Sequence, residues 1–314
     1  MFTGLRLKIR DFFKRNRKII LFILVIWLIV MLVNHFFKNN SFQKFERTTY
    51  SEHEAIMDTG IKVPEKLKEP INTTIDTYFN YCNNKQYNEA YAMVSEKCKK
   101  IYFPTIEEFK EYIDIVFNEK KIYYLQNFSN YNDVYVYRMR IMEDLMATGL
   151  TGKDDLYFYE EKIALEEQDD GSISLSLRQF ITTENLDEIY EDAYVKIWVE
   201  QRDVFYEQEN YHIKVKNKTS NTVVLADTQE TSEIILQVGS QNREANNNNL
   251  NVVIYPNETK EYTLSFTKFF DEENKVKGII FNAVRILPQY SGLTDLKKYE
   301  ISRAEKLYSI SMPF

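Results

Sequence analysis

The side chains that could make or break bonds are few. Three histidines occur, His35, His53 and His212, and none has a second ligand at metal-binding spacing. Two cysteines, Cys82 and Cys98, cannot build a four-thiolate site. The zinc-protease, nucleophile-elbow and dinucleotide-binding motifs are absent. Gly149-Leu150-Thr151-Gly152-Lys153 lacks the four-residue gap and the hydroxyl of a phosphate loop, and reads as a solvated loop. Asp271-Glu272-Glu273-Asn274 lacks EF-hand spacing and reads as a charged hairpin tip. No catalytic, cofactor-binding or metal-binding residue is assigned, and no cofactor is expected.

Two constellations remain. Tyr78, Tyr91 and Tyr112, with Asp114, form one only through the likeness to NTF2-like domains described below, which implies a pocket where Asp and Tyr can move a proton; Asp114 lies beside an apolar stripe and is expected to face solvent. Cys82 and Cys98 lie on neighbouring expected helices, 16 residues apart. Antiparallel packing there would permit a disulfide; the other reading is two buried thiols.

The elements that must position these groups follow from periodicity. From Lys68 the pattern is helical, with Ile71, Ile75, Tyr78, Phe79 and Cys82 on one face. A second helix carries Tyr87, Ala90, Tyr91, Val94 and Cys98. A third opens with the capping box Thr105…Glu108 and continues Phe109, Ile113, Val116, Phe117. Strand alternation takes over at 121–128 and 133–141, and Asp169-Asp170-Gly171 marks a hairpin between 156–167 and 172–181. The acidic stretch 184–192 reads as a connector. Short alternating stretches at 193–199, 211–216, 222–226, 233–238, 250–255, 262–268 and 276–287 predict a β-sandwich, immunoglobulin-like in general architecture.

At the other end, residues 19–33 are an unbroken apolar run, IILFILVIWLIVMLV. Extended to residue 37 it would span roughly 28 Å as a helix, close to a bilayer's hydrocarbon core. Residues 1–38 hold eight Lys or Arg against one acid, Asp11. The remaining 276 residues carry 32 bases against 46 acids, a balance of −14, which disfavours nucleic acid as a partner. Lys14, Arg15, Arg17 and Lys18 crowd the start of the apolar run and place the N-terminus in the cytoplasm. The expected organisation is a basic tail at 1–18, a transmembrane helix at 19–37, a stalk at 38–66, an α+β domain at 67–183, a connector at 184–192 and a β-sandwich-like domain at 193–314.

Three helices followed by a curled antiparallel sheet, with the phrases Tyr78-Phe79-Asn80-Tyr81 and Tyr87-Asn88-Glu89-Ala90-Tyr91, resemble the NTF2-like fold. The resemblance implies a cone-shaped α+β domain and lends no activity. A basic tail, one anchor and an outer NTF2-like domain are also similar in layout to VirB8-like components of conjugative secretion channels, although the β-rich second half departs from that pattern. The expected function is a non-catalytic binding or scaffold protein of a bacterial cell envelope, single-pass at the cell membrane with its bulk outside the cytoplasm. Its partners would be the membrane and other envelope proteins. The alternatives are a VirB8-like channel component and a small-ligand or enzymatic NTF2-like pocket.

Overall fold

The structure, a computed structural model, describes residues 63–144, 158–227, 233–246, 251–268, 275–288, 299 and 301–314. The expected cytoplasmic tail with Lys14, Arg15, Arg17 and Lys18, the expected transmembrane helix, His35, His53 and the loops around Gly149 and Asp271 all lie outside these residues. Among the described residues no helix is long and apolar enough to cross a membrane.

Four helices come first: α1 (Glu65–Asn83), α2 (Tyr87–Met93), α3 (Glu96–Tyr102) and α4 (Ile106–Val116). The stripe of α1 is buried from Leu67 through Ile71, Ile75, Tyr78 and Phe79 to Cys82. Thr105 and Glu108 cap α4 reciprocally. Strands β1 (Lys121–Tyr131), β2 (Val134–Glu143), β3 (Phe158–Glu167) and β4 (Ile173–Ser176) follow as an antiparallel sheet in chain order. Helices and sheet enclose one core that includes Phe79, Phe103, Phe109, Tyr137 and Leu165.

The expected fold class needs correction. Strand accounts for 54% of the described residues and helix for 22%, so the molecule is mostly β, and the three-helix NTF2-like cone is not what forms. The second expected helix breaks in two at Val94. That residue turns extended and bridges Leu175 of β4, and Ser95 caps a new helix by accepting from the Cys98 N–H at 3.2 Å. The expected connector is also replaced. Residues 184–191 belong to strand β5 (Phe180–Glu191), which pairs with β6 (Val195–Phe205) along its length. Two of its four acids stand opposite bases, Glu184 against Arg202 and Glu191 against Lys196, so cross-strand charge helps hold a polar sequence extended. A tight turn drives the chain into this strand. Arg178 and Gln179 both take positive φ, and the Phe180 N–H returns to the Leu177 carbonyl at 3.1 Å.

The remaining strands make two sheets. One has the order β12-β7-β6-β5, with β7 (Gln208–Asn217) and β12 (Thr259–Thr267). The other runs β10 (Gln241–Glu244), β9 (Ile234–Val238), β13 (Val276–Leu287), β8 (Thr222–Ala226), β11 (Val252–Ile254), with β14 (Lys306–Pro313) also on β13. Apolar side chains of both sheets share one core, including Ile197, Tyr211, Ile213, Leu236, Phe266, Phe281 and Ile286. Two sheets over a common core form a β-rich sandwich. A smaller cluster of Val134, Val136, Ala164, Ile181 and Val204 covers the second face of β2 and joins it to β5 and β6.

Candidate functional site

Tyr78, Tyr91 and Tyr112 all lie in the helical half. Tyr91 donates to the Phe103 carbonyl at 2.8 Å, and its ring packs 5.3 Å from Phe109. Tyr112 lies 5.1 Å from the ring of Phe103 and donates to Glu161 at 3.0 Å. Tyr78 is buried, with its hydroxyl against the Cys82 thiol. The rings of Phe103 and Phe109 pack against each other and against Tyr91 and Tyr112. Asp114 is exposed and accepts from Lys85 and Tyr87 at 2.8 and 2.7 Å, which hold its carboxyl below the usual range.

Sequence reasoning missed Glu161. Strand alternation puts it on the face of β3 that carries Ile163 and Leu165, so it points into the core, 3% exposed. Oxygen Oε2 accepts from Tyr112 and Tyr159 at 3.0 Å each, and Oε1 accepts from the N–H groups of Lys162 and Arg178 at 3.0 and 2.9 Å. Burial raises its pKa, and these four hydrogen bonds offset only part of the rise.

Both cysteines are free, buried thiols, so the expected disulfide is not formed in the structure. Their neighbours differ: the Cys98 sulfur accepts from the Leu177 N–H at 3.4 Å, whereas Cys82 lies against Tyr78. Burial pushes each thiol up to about 12, which keeps both protonated and poorly nucleophilic at neutral pH.

A second carboxylate stands on the opposite half. Asp203 of β6 accepts from the Thr183 hydroxyl at 2.6 Å and the Gln201 amide at 3.3 Å, and lies 2.6 Å from Nε2 of His212 on β7. Nδ1 of the same imidazole is 3.4 Å from the hydroxyl of Thr263 on β12. Carboxylate, imidazole and hydroxyl thus cross three adjacent strands. Burial pushes the Asp203 carboxyl up, but the bonds from His212 and Thr183 outweigh it and the net shift is down. His212 keeps 37% of its side chain exposed against 7% for Asp203. Beside it opens a groove of about 310 Å³ lined by Glu200, Gln201, His212, Ile213, Glu261, Tyr262 and Thr263.

The register explains how these residues meet. Val199 pairs with Ile213 and Gln201 with His212, leaving Glu200 as an extra residue, and the pairing of β6 with β5 skips Glu200 as well. This bulge reverses the parity of β6. Trp198 therefore shares the outer face with Gln201 and Asp203, while Arg202 turns inward.

There Arg202 pairs with Glu184 and donates to Tyr131 and Tyr211 at 3.0 and 3.3 Å. Nearby, the Lys268 ammonium lies 4.6 Å from the centre of the Tyr131 ring, and burial lowers its pKa to about 8. On the other sheet Arg285, fully buried, is paired with Glu233.

Among the described residues no group of three His, Cys, Asp or Glu is placed to hold a metal ion. No family model, curated protein or solved structure matches the chain.

Proposed function

We propose that this chain is a non-catalytic binding module of a cell envelope, held at the membrane by its apolar N-terminal segment and meeting its partner through the outer face of the β12-β7-β6-β5 sheet. One observation carries the reading: a half-exposed imidazole is held from both ring nitrogens beside a groove on the outer face of this sheet. Such an arrangement holds the side chains that border the groove in one orientation, as recognition requires. Acyl transfer needs more. A hydroxyl nucleophile also needs N–H donors aimed at the developing oxyanion, whereas the ladder N–H groups of regular strands lie in the plane of the sheet. The membrane part rests on the hydropathy of residues 19–33 and on the basic residues before them.

The experiment is photo-crosslinking in cells from Lys214 and Thr263, with Lys277 on the other sheet as the control position. Adducts are expected from the first two and not from Lys277. Equal adducts from all three would sink the docking face. Ester hydrolysis by the purified chain that disappears in His212→Ala and Thr263→Ala would overturn the non-catalytic reading. For location, a cysteine at the exposed Ser240 should react with a membrane-impermeant thiol reagent on intact cells; labelling only after lysis would refute it.

A further inference from the structure

The same face carries a feature that the groove alone does not use. Ile197 and Val199 point into the sandwich core, which leaves Trp198 between them on the outside, half-buried. It pairs across the sheet with Ile189 of β5, which is 58% exposed, and with Lys214 of β7, itself opposite Glu261 of β12. The Lys196 ammonium lies over the indole, 5.1 Å from its centre, so a ligand ring would have to share or displace that flexible side chain. The next row of the same face is Gln201, His212 and Thr263. Successive same-face rows stand about 7 Å apart along a strand. An indole therefore adjoins a row of amide, imidazole and hydroxyl groups.

The charges on this face are largely cancelled within it. Lys214 and Glu261 are 3.6 Å apart, Lys196 and Glu191 are 3.0 Å apart, and Asp203 sits on His212. A strongly charged ligand would find little to pair with, and the acidic balance of the outer chain already repels polyanions. What the face offers is an apolar aromatic surface beside fixed donors and acceptors. A pyranose ring matches both, because its C–H groups form an apolar face and its hydroxyls both donate and accept.

Resting on the proposed docking face, we infer that its ligand is a carbohydrate: a polysaccharide whose one ring stacks on Trp198 while a neighbouring ring hydrogen-bonds to the Gln201 amide and the Thr263 hydroxyl, the two groups that flank the fixed imidazole of His212. No bond is made or broken. Glu200, bulged out of β6 and lining the groove, would accept from a further hydroxyl.

The test is saturation-transfer NMR on the full chain in detergent, with three soluble probes: the hexasaccharides of N-acetylglucosamine, glucose and mannose. Transfer to the ring C–H protons of one of them is expected. Trp198→Ala should raise its Kd about tenfold or more, as loss of an aromatic stacking contact does, while Trp198→Phe should largely keep it. Unchanged urea unfolding midpoints in both variants would show that they fold. Transfer that survives Trp198→Ala unchanged would overturn the inference. So would no transfer to any probe; if crosslinks from Lys214 and Thr263 then persist, the docking face stands and only its carbohydrate ligand is lost. Loss of both would sink both.

Discussion

Glu161 and Asp203 are each surrounded by hydroxyl and N–H donors, yet their acidities move in opposite directions. Glu161 is sealed under α4 by Tyr112 and Tyr159, and the loss of water outweighs four hydrogen bonds, so its pKa rises. Asp203 has an imidazole at 2.6 Å with an open side to solvent, and its pKa falls. What separates the two is whether a partner able to carry charge stays in contact with water. The sealed carboxylate fastens α4 to β3 and the β4–β5 turn; the open one orients a side chain that something outside can reach.

The largest expected effect tests the sealed side. Glu161→Leu leaves the Tyr112 hydroxyl and the N–H groups of Lys162 and Arg178 without their acceptor, and should lower the unfolding free energy by about 3 kcal/mol. Urea unfolding read by circular dichroism measures it. A loss below about 1 kcal/mol would mean that Glu161 does not fasten the helical half, and the contrast with Asp203 would collapse.

Lys268 extends the comparison to a buried base. Its pKa is lowered from 10.5 to about 8, chiefly by burial. Between those values the unfolded chain keeps the proton and the folded chain has released it, so stability rises with pH across that window. Below pH 8 the full cost of the buried ammonium is present; above 10.5 it is gone. Tyrosines titrate in the same range, so the useful quantity is wild type minus Lys268→Met. That difference should climb by about 3 kcal/mol from pH 8 to 10.5. A flat difference would show that the ammonium keeps water access and belongs with the open class of Asp203.

Local signals carried much of the fold. The stripe from Ile71 to Cys82 is buried as spaced, Thr105 and Glu108 form their capping box, and β3 and β4 flank Asp169-Asp170-Gly171. The break at Val94 was not legible, because it depends on a bridge to Leu175, 81 residues away. Strand β5 was hidden because its charges read as loop until Arg202 and Lys196 stand opposite them. The candidate site was hidden for a sharper reason. Plain alternation groups Trp198 with Arg202, and only the bulge at Glu200 puts it with Asp203 instead. His212 stood out only as a histidine in a strand; its partners come from β6 and β12, and register between strands is not written in any one of them. Glu161 gave no signal beyond its place in the alternation of β3.

The smallest expected effect falls on Thr263, and it separates recognition from catalysis. Its hydroxyl lies 3.4 Å from Nδ1 of His212, at the long limit of a hydrogen bond, on an exposed residue of an edge strand. Thr263→Ala leaves the contact of His212 with Asp203 in place, and Asp203 keeps Thr183 and Gln201. The unfolding free energy should therefore change by less than about 0.5 kcal/mol, the range of surface substitutions. His212→Ala should cost more, about 1 kcal/mol, because it strips the mostly buried Asp203 of one bond. On a binding face, Thr263→Ala removes one hydroxyl among several contacts and should weaken ligand capture only a few-fold. In a catalytic relay the same change would remove the nucleophile, and turnover would fall by orders of magnitude while binding persisted. Measuring stability, capture and ester turnover on this one variant places the Asp203 half of the comparison: two small changes and no turnover to lose keep it a recognition surface.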